Sequence, residues 1–490
     1  MTPRTLRLLI ALGGLAPGAA VAAEFRLLGE QLWFQAENLP LAEALQPFAQ
    51  AGVRVRMDPA VTTRVTADVR GENAQAALAR MLEPLGYVLT WDVVQGPLGP
   101  WPRLAEIQVF QPGRREQAQL LPGQSDNLDV ARDADGNLLV RDEILLAFQP
   151  GSRREEVERL LAPYGGVLLG GISELGIYRV RFPPGSNITS LVEHLGRHPL
   201  VKAAEPHHAV ALPPPAVSAS AAGAAAAPAA RGSVPVDAAP VAILDTGLLK
   251  ESGLSALVAG RYDALNPDRA VDDRQGHGTQ MALIASGAVL PAGAAESADG
   301  VPVLAIRAFD DHGYASAFSL MNSMVYAATN GARVLNMSWG TPVDSRFLAS
   351  AIAWAQSREI VVVASAGNEP TGKPVYPAAL PGVVAVSALD ASGEPWDMSN
   401  FGRFVSVSAP GTASLPVGYR GPPGGYAGTS IASVYVARSL ALYRARHPGA
   451  TARQTVAALR QAVAPGAGGA QDPRLGYGRL DAAALGRLLP

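Results

Sequence analysis

Hydrophobic positions in the second half of the chain follow two alternating patterns. Between residues 234 and 485, short runs of consecutive apolar residues alternate with longer segments that mix apolar and small residues. Uninterrupted apolar runs are typical of strands covered on both faces, so the pattern predicts an α/β domain with a mostly parallel sheet between helix layers. We predict its strands at 241–244, 303–307, 334–337, 360–364, 383–387 and 404–407, and its helices at 279–286, 318–330, 346–356, 431–443 and 452–461.

The region before this domain begins with a smaller mixed pattern. Residues 24–112 alternate short strand-like and helix-like segments, which indicates a small α+β module with helices at 41–50 and 74–85. Residues 113–137 are rich in polar residues and glycine, which favours a linker.

A second small α+β module follows. Residues 138–212 read as strand, helix, strand, strand, helix and strand, the ferredoxin-like βαββαβ order, with the last strand at 201–204. Residues 213–233 are almost wholly Ala, Pro, Ser and Gly. Such a segment cannot bury a core, so we predict an exposed tether where proteases cut.

The first 23 residues resemble a secretory signal. Arg4 and Arg7 precede an apolar stretch at 8–19, and small residues follow at 20–23. A membrane anchor is the alternative, but glycines and a proline interrupt a stretch that is short for a span. We expect an exported protein, either periplasmic or secreted.

Composition narrows the class of protein. The 490 residues favour several domains, and 48% hydrophobic with 17% charged residues indicates a folded chain. A formal net charge of -2 gives no reason to expect nucleic acid as a partner. Because the chain has no cysteine, disulfides do not contribute to its stability.

Three short motifs carry candidate chemistry. Asp245 follows an apolar run and precedes Thr-Gly, His277 lies in Gly-His-Gly-Thr, and Ser430 lies in Gly-Thr-Ser-Ile-Ala. A serine hydroxyl is a poor nucleophile until an imidazole takes its proton and a buried carboxylate orients that imidazole. Asp-Thr-Gly also occurs in aspartic proteases, but those need a second such motif, and this sequence has none. We therefore interpret the three residues as a catalytic triad.

By the order and surroundings of these motifs, residues 234–485 resemble the subtilisin-like serine proteases. The resemblance implies that Asn368, within Ser-Ala-Gly-Asn-Glu, completes the oxyanion hole together with the backbone N–H of Ser430. It also implies a groove in which a peptide substrate binds as an extended strand. The implied groove residues are Ser338, Trp339 and Gly340 on one side and Gly313 and Tyr314 on the other.

Departures from the family pattern concern the shape of the groove. Either aromatic residue, Trp339 or Tyr314, could instead be core packing. Other residues replace the usual ones after the histidine and serine motifs, among them Gln280 and Arg438, and none is a proton-transfer residue. We expect no metal site and no cofactor for the chemistry; structural calcium stays open, since single carboxylates do not reveal it.

Residues 138–212 resemble the propeptides of the same family, notably at Val-Lys-Ala-Ala-Glu-Pro, residues 201–206. The resemblance implies an intramolecular chaperone and inhibitor. We expect residues 207–212 to enter the groove at 338–340 as a product-like strand, and cleavage to fall between about 211 and 234.

The module at 24–112 resembles the short N-terminal domain of secretins and TonB-dependent receptors, through Phe34-Gln35 and Leu-Pro-Leu-Ala-Glu-Ala-Leu at 39–45. This resemblance implies a periplasmic protein partner; the alternative is a folding domain without a partner. The whole chain is then interpreted as an exported serine endopeptidase made as a zymogen. The alternative function is a periplasmic binding or scaffold protein whose protease-like domain is inactive.

Overall fold

The computed structural model describes residues 25–94, 98–122, 127–217, 238–267, 269–295, 299–464 and 471–490. The expected signal at 1–23 and most of the expected tether lie outside these residues. The chain divides into two compact units, one comprising residues up to 93 with 101–124, the other 94–100 with 125–490. Within the described ranges, no helix is both long and apolar enough to cross a membrane.

The first unit is an α+β module with its own core. An antiparallel sheet has the order β1-β2-β4, and a second sheet has the order β5-β6-β3-β7. Helix α2 begins where the Asn73 side chain accepts a hydrogen bond from Ala76 N at 3.2 Å. The described elements are β1 (Phe25–Leu28), β2 (Gln31–Pro40), α1 (Leu41–Gln50), β3 (Arg54–Met57), β4 (Arg64–Asn73), α2 (Ala74–Leu82), β5 (Gly86–Val94), β6 (Trp101–Phe110) and β7 (Gln119–Leu120).

The second unit begins with the ferredoxin-like module. Its four long strands form an antiparallel sheet in the order β10-β11-β9-β12, and the order of helices and strands is the one predicted. The last strand is longer than the predicted 201–204 because it continues to residue 211, where its end pairs with a strand of the α/β domain. The elements are β8 (Val130–Arg132), β9 (Leu138–Phe148), α3 (Arg154–Leu161), β10 (Val167–Ile172), β11 (Ile177–Arg181), α4 (Ile188–Gly196) and β12 (Val201–Ala211).

The expectation of a linker at 113–137 was wrong for part of that segment. Strand β7 pairs with β3 in the first unit, and β8 pairs with β9 in the second. Two- and three-residue strands are too short to show a period of hydrophobic positions, so the sequence pattern could not reveal them.

The remaining residues form the predicted α/β domain. Seven parallel strands have the order β14-β15-β13-β17-β18-β19-β20, and the buried helix α8 packs against the central strands. The strand predicted at 404–407 lies instead at 407–410, and β14 and α10 were missed. The elements are β13 (Val241–Asp245), β14 (Val258–Asp263), α5 (His277–Ser286), β15 (Val303–Arg307), β16 (Tyr314–Ser316), α6 (Ala317–Thr329), β17 (Val334–Met337), α7 (Arg346–Gln356), β18 (Val361–Ser365), β19 (Val384–Leu389), β20 (Val407–Pro410), β21 (Thr412–Leu415), β22 (Gly424–Ala427), α8 (Thr429–Arg446), α9 (Ala452–Val463) and α10 (Ala482–Leu488).

The ferredoxin-like module joins the α/β domain through β12. Its last residues pair antiparallel with β16, with Ala209 opposite Ser316 and Ala211 opposite Tyr314. Farther back, the nearly buried Glu205 carboxylate accepts hydrogen bonds from Ser345 Oγ and Arg346 N, both at 2.8 Å. Since these groups open helix α7, the carboxylate also lies at the positive end of that helix.

A buried histidine lies in the same interface. His207 Nδ1 is 2.7 Å from a Glu143 carboxylate oxygen, and its Nε2 accepts a hydrogen bond from Phe318 N at 3.2 Å, in the first turn of α6. Glu143 also binds Arg179 and Arg181, both at 2.7 Å. Burial lowers the pKa of His207 below its ordinary value of 6.5, against the opposing effect of Glu143, and nearby Arg179 and His208 lower it further. Because Nε2 accepts a hydrogen bond, this geometry needs the neutral imidazole.

We predict that the stability of the second unit depends on this proton. A histidine with a lowered pKa stabilises the folded state above about pH 6.5, and the contribution is lost as pH falls below that value, by at most about 1.4 kcal/mol per pH unit. Replacing the imidazole by an amide in His207→Gln removes the titration but keeps one donor and one acceptor. Urea unfolding at several pH values should therefore show a smaller loss of stability toward acid in the variant than in the natural chain.

The matched control is His194→Gln, which changes an exposed histidine of the same module. It should follow the natural chain at every pH. Equal acid sensitivity in His207→Gln and the natural chain would contradict the prediction.

Candidate active site

Asp245 is the last residue of β13, a central strand of the parallel sheet. Its carboxylate is almost fully buried, and one oxygen accepts a hydrogen bond from Thr246 N at 2.8 Å. Both of its oxygens lie within hydrogen-bond reach of His277 Nδ1, at 2.8 and 2.9 Å. A buried carboxylate in this position fixes the imidazole with its Nδ1 proton toward the acid, which leaves Nε2 as the free acceptor.

His277 reaches this acid because the glycines on both sides of it allow close packing. Gly276 has φ +88°, and a Cβ there would lie 1.9 Å from the carbonyl oxygen of Gly418. A Cβ on Gly278 would lie 2.5 Å from the carbonyl oxygen of Gly247, next to Asp245. Only glycine fits at either position: Gly278 is required by the approach of α5 to the end of β13, and Gly276 by the packing of the segment that contains Gly418.

Ser430 is the second residue of the long helix α8. Its backbone N–H belongs to the first turn, where N–H groups have no acceptor within the helix, and the positive end of the helix favours negative charge there. The side-chain hydroxyl donates to the carbonyl oxygen of Ser338 at 3.2 Å. The hydroxyl proton is therefore directed at the Ser338 carbonyl oxygen in this structure.

The acid–imidazole pair and the serine lie at the same edge of the sheet. Asp245 ends β13 and Ser338 directly follows β17, and these two strands are parallel neighbours. The two strand ends are also joined by Trp339, whose indole N–H donates to the carbonyl oxygen of Leu244 at 3.2 Å. The structure thus brings the three residues that were singled out by sequence to one strand-end region.

Asn368 lies beside the first turn of α8. Its side-chain oxygen accepts hydrogen bonds from Thr429 N at 3.0 Å and from Thr429 Oγ1 at 2.7 Å. These two bonds hold the amide so that its NH₂ group is the free end, and that group faces Gly428, where a Cβ would be 3.2 Å from Asn368 Nδ2. An amide donor is therefore held next to Gly428, two residues before Ser430.

The groove residues expected from sequence separate into two groups. Gly313 and Tyr314 lie on the segment that accepts the end of β12, since Leu212 N donates to the Gly313 carbonyl oxygen at 2.9 Å and Ala211 pairs with Tyr314. Trp339, by contrast, is 1% exposed and packs 6.3 Å from Phe309 in the core. The core interpretation therefore holds for Trp339.

The neighbouring groove residues lie close to that core. Ser338 is buried and Gly340 is half-buried, and a Cβ on Gly340 would meet a Val375 methyl group at 2.3 Å. The strand partner observed for residues 209–211 is β16, on the Gly313 side, and the expected entry of residues 207–212 at 338–340 stays a prediction.

Sequence reasoning missed a loop that covers the imidazole. The Tyr419 ring lies 4.7 Å from the His277 ring, and burial raises the pKa of the Tyr419 hydroxyl, so it remains a donor at neutral pH. Gln280, noted only as a departure, holds this loop by donating to the Val417 carbonyl oxygen at 2.7 Å. The signal available in the sequence was a tyrosine in a Gly- and Pro-rich segment shortly before the serine motif.

Asp273 was also missed. It is buried and accepts hydrogen bonds from Gly276 N at 2.7 Å and from Thr279 N at 2.9 Å, so it caps the first turn of α5 and sets the position of His277. In the part of the chain that the structure describes, no group of three His, Cys, Asp or Glu residues is arranged to hold a metal ion.

Comparison with known proteins identifies the family. The model of the Subtilase family matches residues 237–478, and the model of the Fervidolysin N-terminal prodomain matches residues 125–207. Thermitase of Thermoactinomyces vulgaris is 33% identical over 201 residues, which are 41% of this chain and 72% of thermitase. The chain therefore belongs to the subtilase family. The matched segments are those of a serine endopeptidase and of a prodomain before it, which confirms the two resemblances expected for residues 234–485 and 138–212.

Two further matches, one in sequence and one in structure, show how much of the chain is similar to known proteins. Minor extracellular protease Epr of Bacillus subtilis (strain 168) is 32% identical over 241 residues, which are 49% of this chain but only 37% of Epr. The crystal structure of fervidolysin from Fervidobacterium pennivorans, a keratinolytic enzyme related to subtilisin, has a TM-score of 0.58 at 21% identity, and the match covers 75% of this chain and 63% of fervidolysin. At that identity the likeness concerns the fold alone.

We predict that Asn368→Ala lowers the turnover number by roughly 100- to 1000-fold, because it removes one donor to the oxyanion. The Michaelis constant for a peptide substrate should change little, since the donor acts on charge that develops in the transition state. Steady-state kinetics on processed enzyme would measure both constants. The control is Asn322→Ala, which removes an amide bound to the Tyr262 hydroxyl; an unchanged turnover number in Asn368→Ala would contradict the assignment.

Proposed function

We propose that the chain is an exported serine endopeptidase, made as a zymogen, in which Asp245, His277 and Ser430 form the catalytic triad. The observation that carries the proposal is the buried Asp245–His277 pair at 2.8 and 2.9 Å, at the strand-end region where α8 presents Ser430. Family membership supports the same reaction type. Similarity to Epr, an extracellular protease, supports export.

The proposed reaction starts with rotation of the Ser430 hydroxyl. The hydroxyl leaves the Ser338 carbonyl oxygen and gives its proton to His277 Nε2 as its oxygen attacks the scissile carbonyl carbon. Asp245 stabilises the resulting imidazolium. The backbone N–H of Ser430 and the amide of Asn368 bind the oxyanion, and the imidazolium then protonates the departing nitrogen. A water molecule then attacks the seryl ester: His277 takes a proton from the water and gives a proton to Ser430 Oγ as the ester bond breaks.

The ferredoxin-like module is proposed to be the intramolecular inhibitor. Its last strand pairs with β16, on the Gly313 side of the proposed groove, and Leu212 continues the pairing. A chain bound there as an added strand occupies the place where a substrate strand would bind. Cleavage after the module would leave it held only by its interface.

The N-terminal module is proposed to bind a periplasmic protein partner. Support comes from its resemblance to the short N-terminal domains of secretins and TonB-dependent receptors, and from its organisation as a compact unit with a separate core. A pull-down with the isolated module as bait would test this role. A periplasmic protein that the module captures, and that the full-length chain displaces, would support it.

We predict that Ser430→Ala loses labelling by a fluorophosphonate probe and lowers peptide hydrolysis by about 10⁶-fold, a magnitude measured in subtilisin. Ser439→Ala provides a matched control, because Ser439 lies on the same helix and donates to the Tyr435 carbonyl oxygen within it at 2.9 Å. Labelling of Ser430→Ala at the level of the natural chain would contradict the assignment of Ser430 as the nucleophile. A natural chain that the probe never labels would favour an inactive protease-like domain.

A further prediction concerns the inhibitor interface. Glu205→Ala removes the acceptor of hydrogen bonds from Ser345 Oγ and Arg346 N at the start of α7, at a cost of about 1.5–3 kcal/mol each, and of a third from the exposed Arg346 Nε at 3.1 Å. The cut but still bound complex should therefore dissociate, and peptide hydrolysis appear, at a roughly tenfold or more higher concentration on dilution.

Glu193→Ala serves as the control for this experiment, since Glu193 only pairs with Arg197 on the exposed face of α4. Identical dilution curves for Glu205→Ala and the natural complex would show that the interface at α7 contributes nothing to inhibition.

A further inference from the structure

The chain continues past β12 along the proposed groove. Leu212 N donates to the Gly313 carbonyl oxygen at 2.9 Å, and four residues later Ala216 accepts a hydrogen bond from Ala427 N, also at 2.9 Å. Ala427 lies only three residues before Ser430. The segment between these two anchors therefore passes from the Gly313 side of the groove to the side that carries the nucleophile.

All three residues between the anchors are prolines, at 213–215. Pro213 is half-buried, whereas Pro214 and Pro215 are exposed, so the segment arches between its fixed ends. Proline has no backbone N–H and its φ is fixed near −65°. The arch therefore offers no donor to a groove that binds peptides through main-chain hydrogen bonds, and its shape is restricted before binding.

Tyr419 connects the first of these prolines to the imidazole. Its ring lies 4.7 Å from the His277 ring, and its hydroxyl donates to the Pro213 carbonyl oxygen. That carbonyl is thus bound by Tyr419 on the imidazole side, while the Ser430 hydroxyl donates to Ser338. The Pro213 carbonyl oxygen and the Ser430 hydroxyl are thus both engaged in hydrogen bonds with other partners.

The loop that carries Tyr419 is itself fixed to α5 and to the segment before it. Gln280 donates to the Val417 carbonyl oxygen at 2.7 Å, and Arg420 N donates to the Gln275 carbonyl oxygen at 3.0 Å. Arg420 also donates to the His312 carbonyl oxygen at 3.1 Å, next to Gly313. The tyrosine is therefore held in place by contacts on both sides of the groove.

The chemistry of acyl transfer disfavours cleavage within this arch. When Ser430 Oγ bonds to the carbonyl carbon, the C–N bond must break and the departing nitrogen must take the proton from His277 Nε2. In the bonds 212–213, 213–214 and 214–215, that nitrogen lies in a proline ring and carries a ring carbon in place of hydrogen. The ring carbon crowds the approach of the imidazole to the nitrogen.

We propose that the three prolines, clamped by Tyr419, are an uncleavable inhibitory segment: the zymogen bridges its own active site with bonds that the enzyme does not hydrolyse. This inference rests on the proposed function and specifies the regulation of that site. Its consequence is that the first activating cut falls outside the bonds 212–213, 213–214 and 214–215. Inhibition then persists in the intact chain, because the proline segment crosses the active site without being cleaved there.

The test replaces Pro213, Pro214 and Pro215 together by alanine in the full-length chain. Alanine restores the N–H groups and the freedom of the arch, and the changed residues belong to the inhibitory segment, outside the catalytic machinery. Mass spectrometry of incubated chains should find cleavage at the bonds 212–213, 213–214 or 214–215 in the triple variant about tenfold or more faster than in the natural chain. The same triple variant with Ser430→Ala should show none.

A matched control is Pro183→Ala with Pro184→Ala, which changes two exposed prolines of the same module. This control should process like the natural chain. Fragments of the natural chain that begin at residue 213, 214 or 215 in a Ser430-dependent manner would overturn the inference, as would equal cleavage rates in the triple variant. If no chain reacts with a fluorophosphonate or hydrolyses a peptide, the proposed function fails as well; normal reactivity without faster cleavage overturns this inference alone.

Discussion

The buried hydrogen bond between Asp245 and His277 is the interaction on which the rest of the site depends. A carboxylate that is removed from water needs a partner, and the imidazole supplies one only if α5 comes close to the end of β13. That approach brings the helix backbone against residues 246–247, where no Cβ fits at Gly278. Helix packing, glycine placement and imidazole orientation are therefore consequences of one buried charge.

A second group of buried polar contacts joins the ferredoxin-like module to the catalytic domain. Glu205 binds the first turn of α7, and His207 connects Glu143 to the first turn of α6. Polar interfaces of this kind gain specificity from hydrogen bonds, but they stabilise less per unit of buried area than apolar packing. They suit the proposed inhibitor, which must bind in one register and later be released.

The end of the proposed inhibitor that pairs with β16 is held by main-chain hydrogen bonds instead of buried side chains. Strand pairing with β16 supplies ordinary main-chain hydrogen bonds up to Leu212, and from there three prolines remove every donor. The loop around Tyr419 then compensates with a side-chain donor, because its hydroxyl reaches the Pro213 carbonyl oxygen. In the proposed zymogen, strand pairing up to Leu212 binds the module, and the prolines that follow disfavour cleavage.

The sequence by itself determined the parallel sheet, the order of the ferredoxin-like module and the residues of the candidate triad. Continuous apolar runs and closely spaced motifs are local features, so they can be read without coordinates. Only the tertiary structure decided the rest: Trp339 is core, β12 pairs with β16, and Tyr419 covers His277. These contacts join residues far apart in the chain, and no local pattern encodes which surfaces meet once the elements pack.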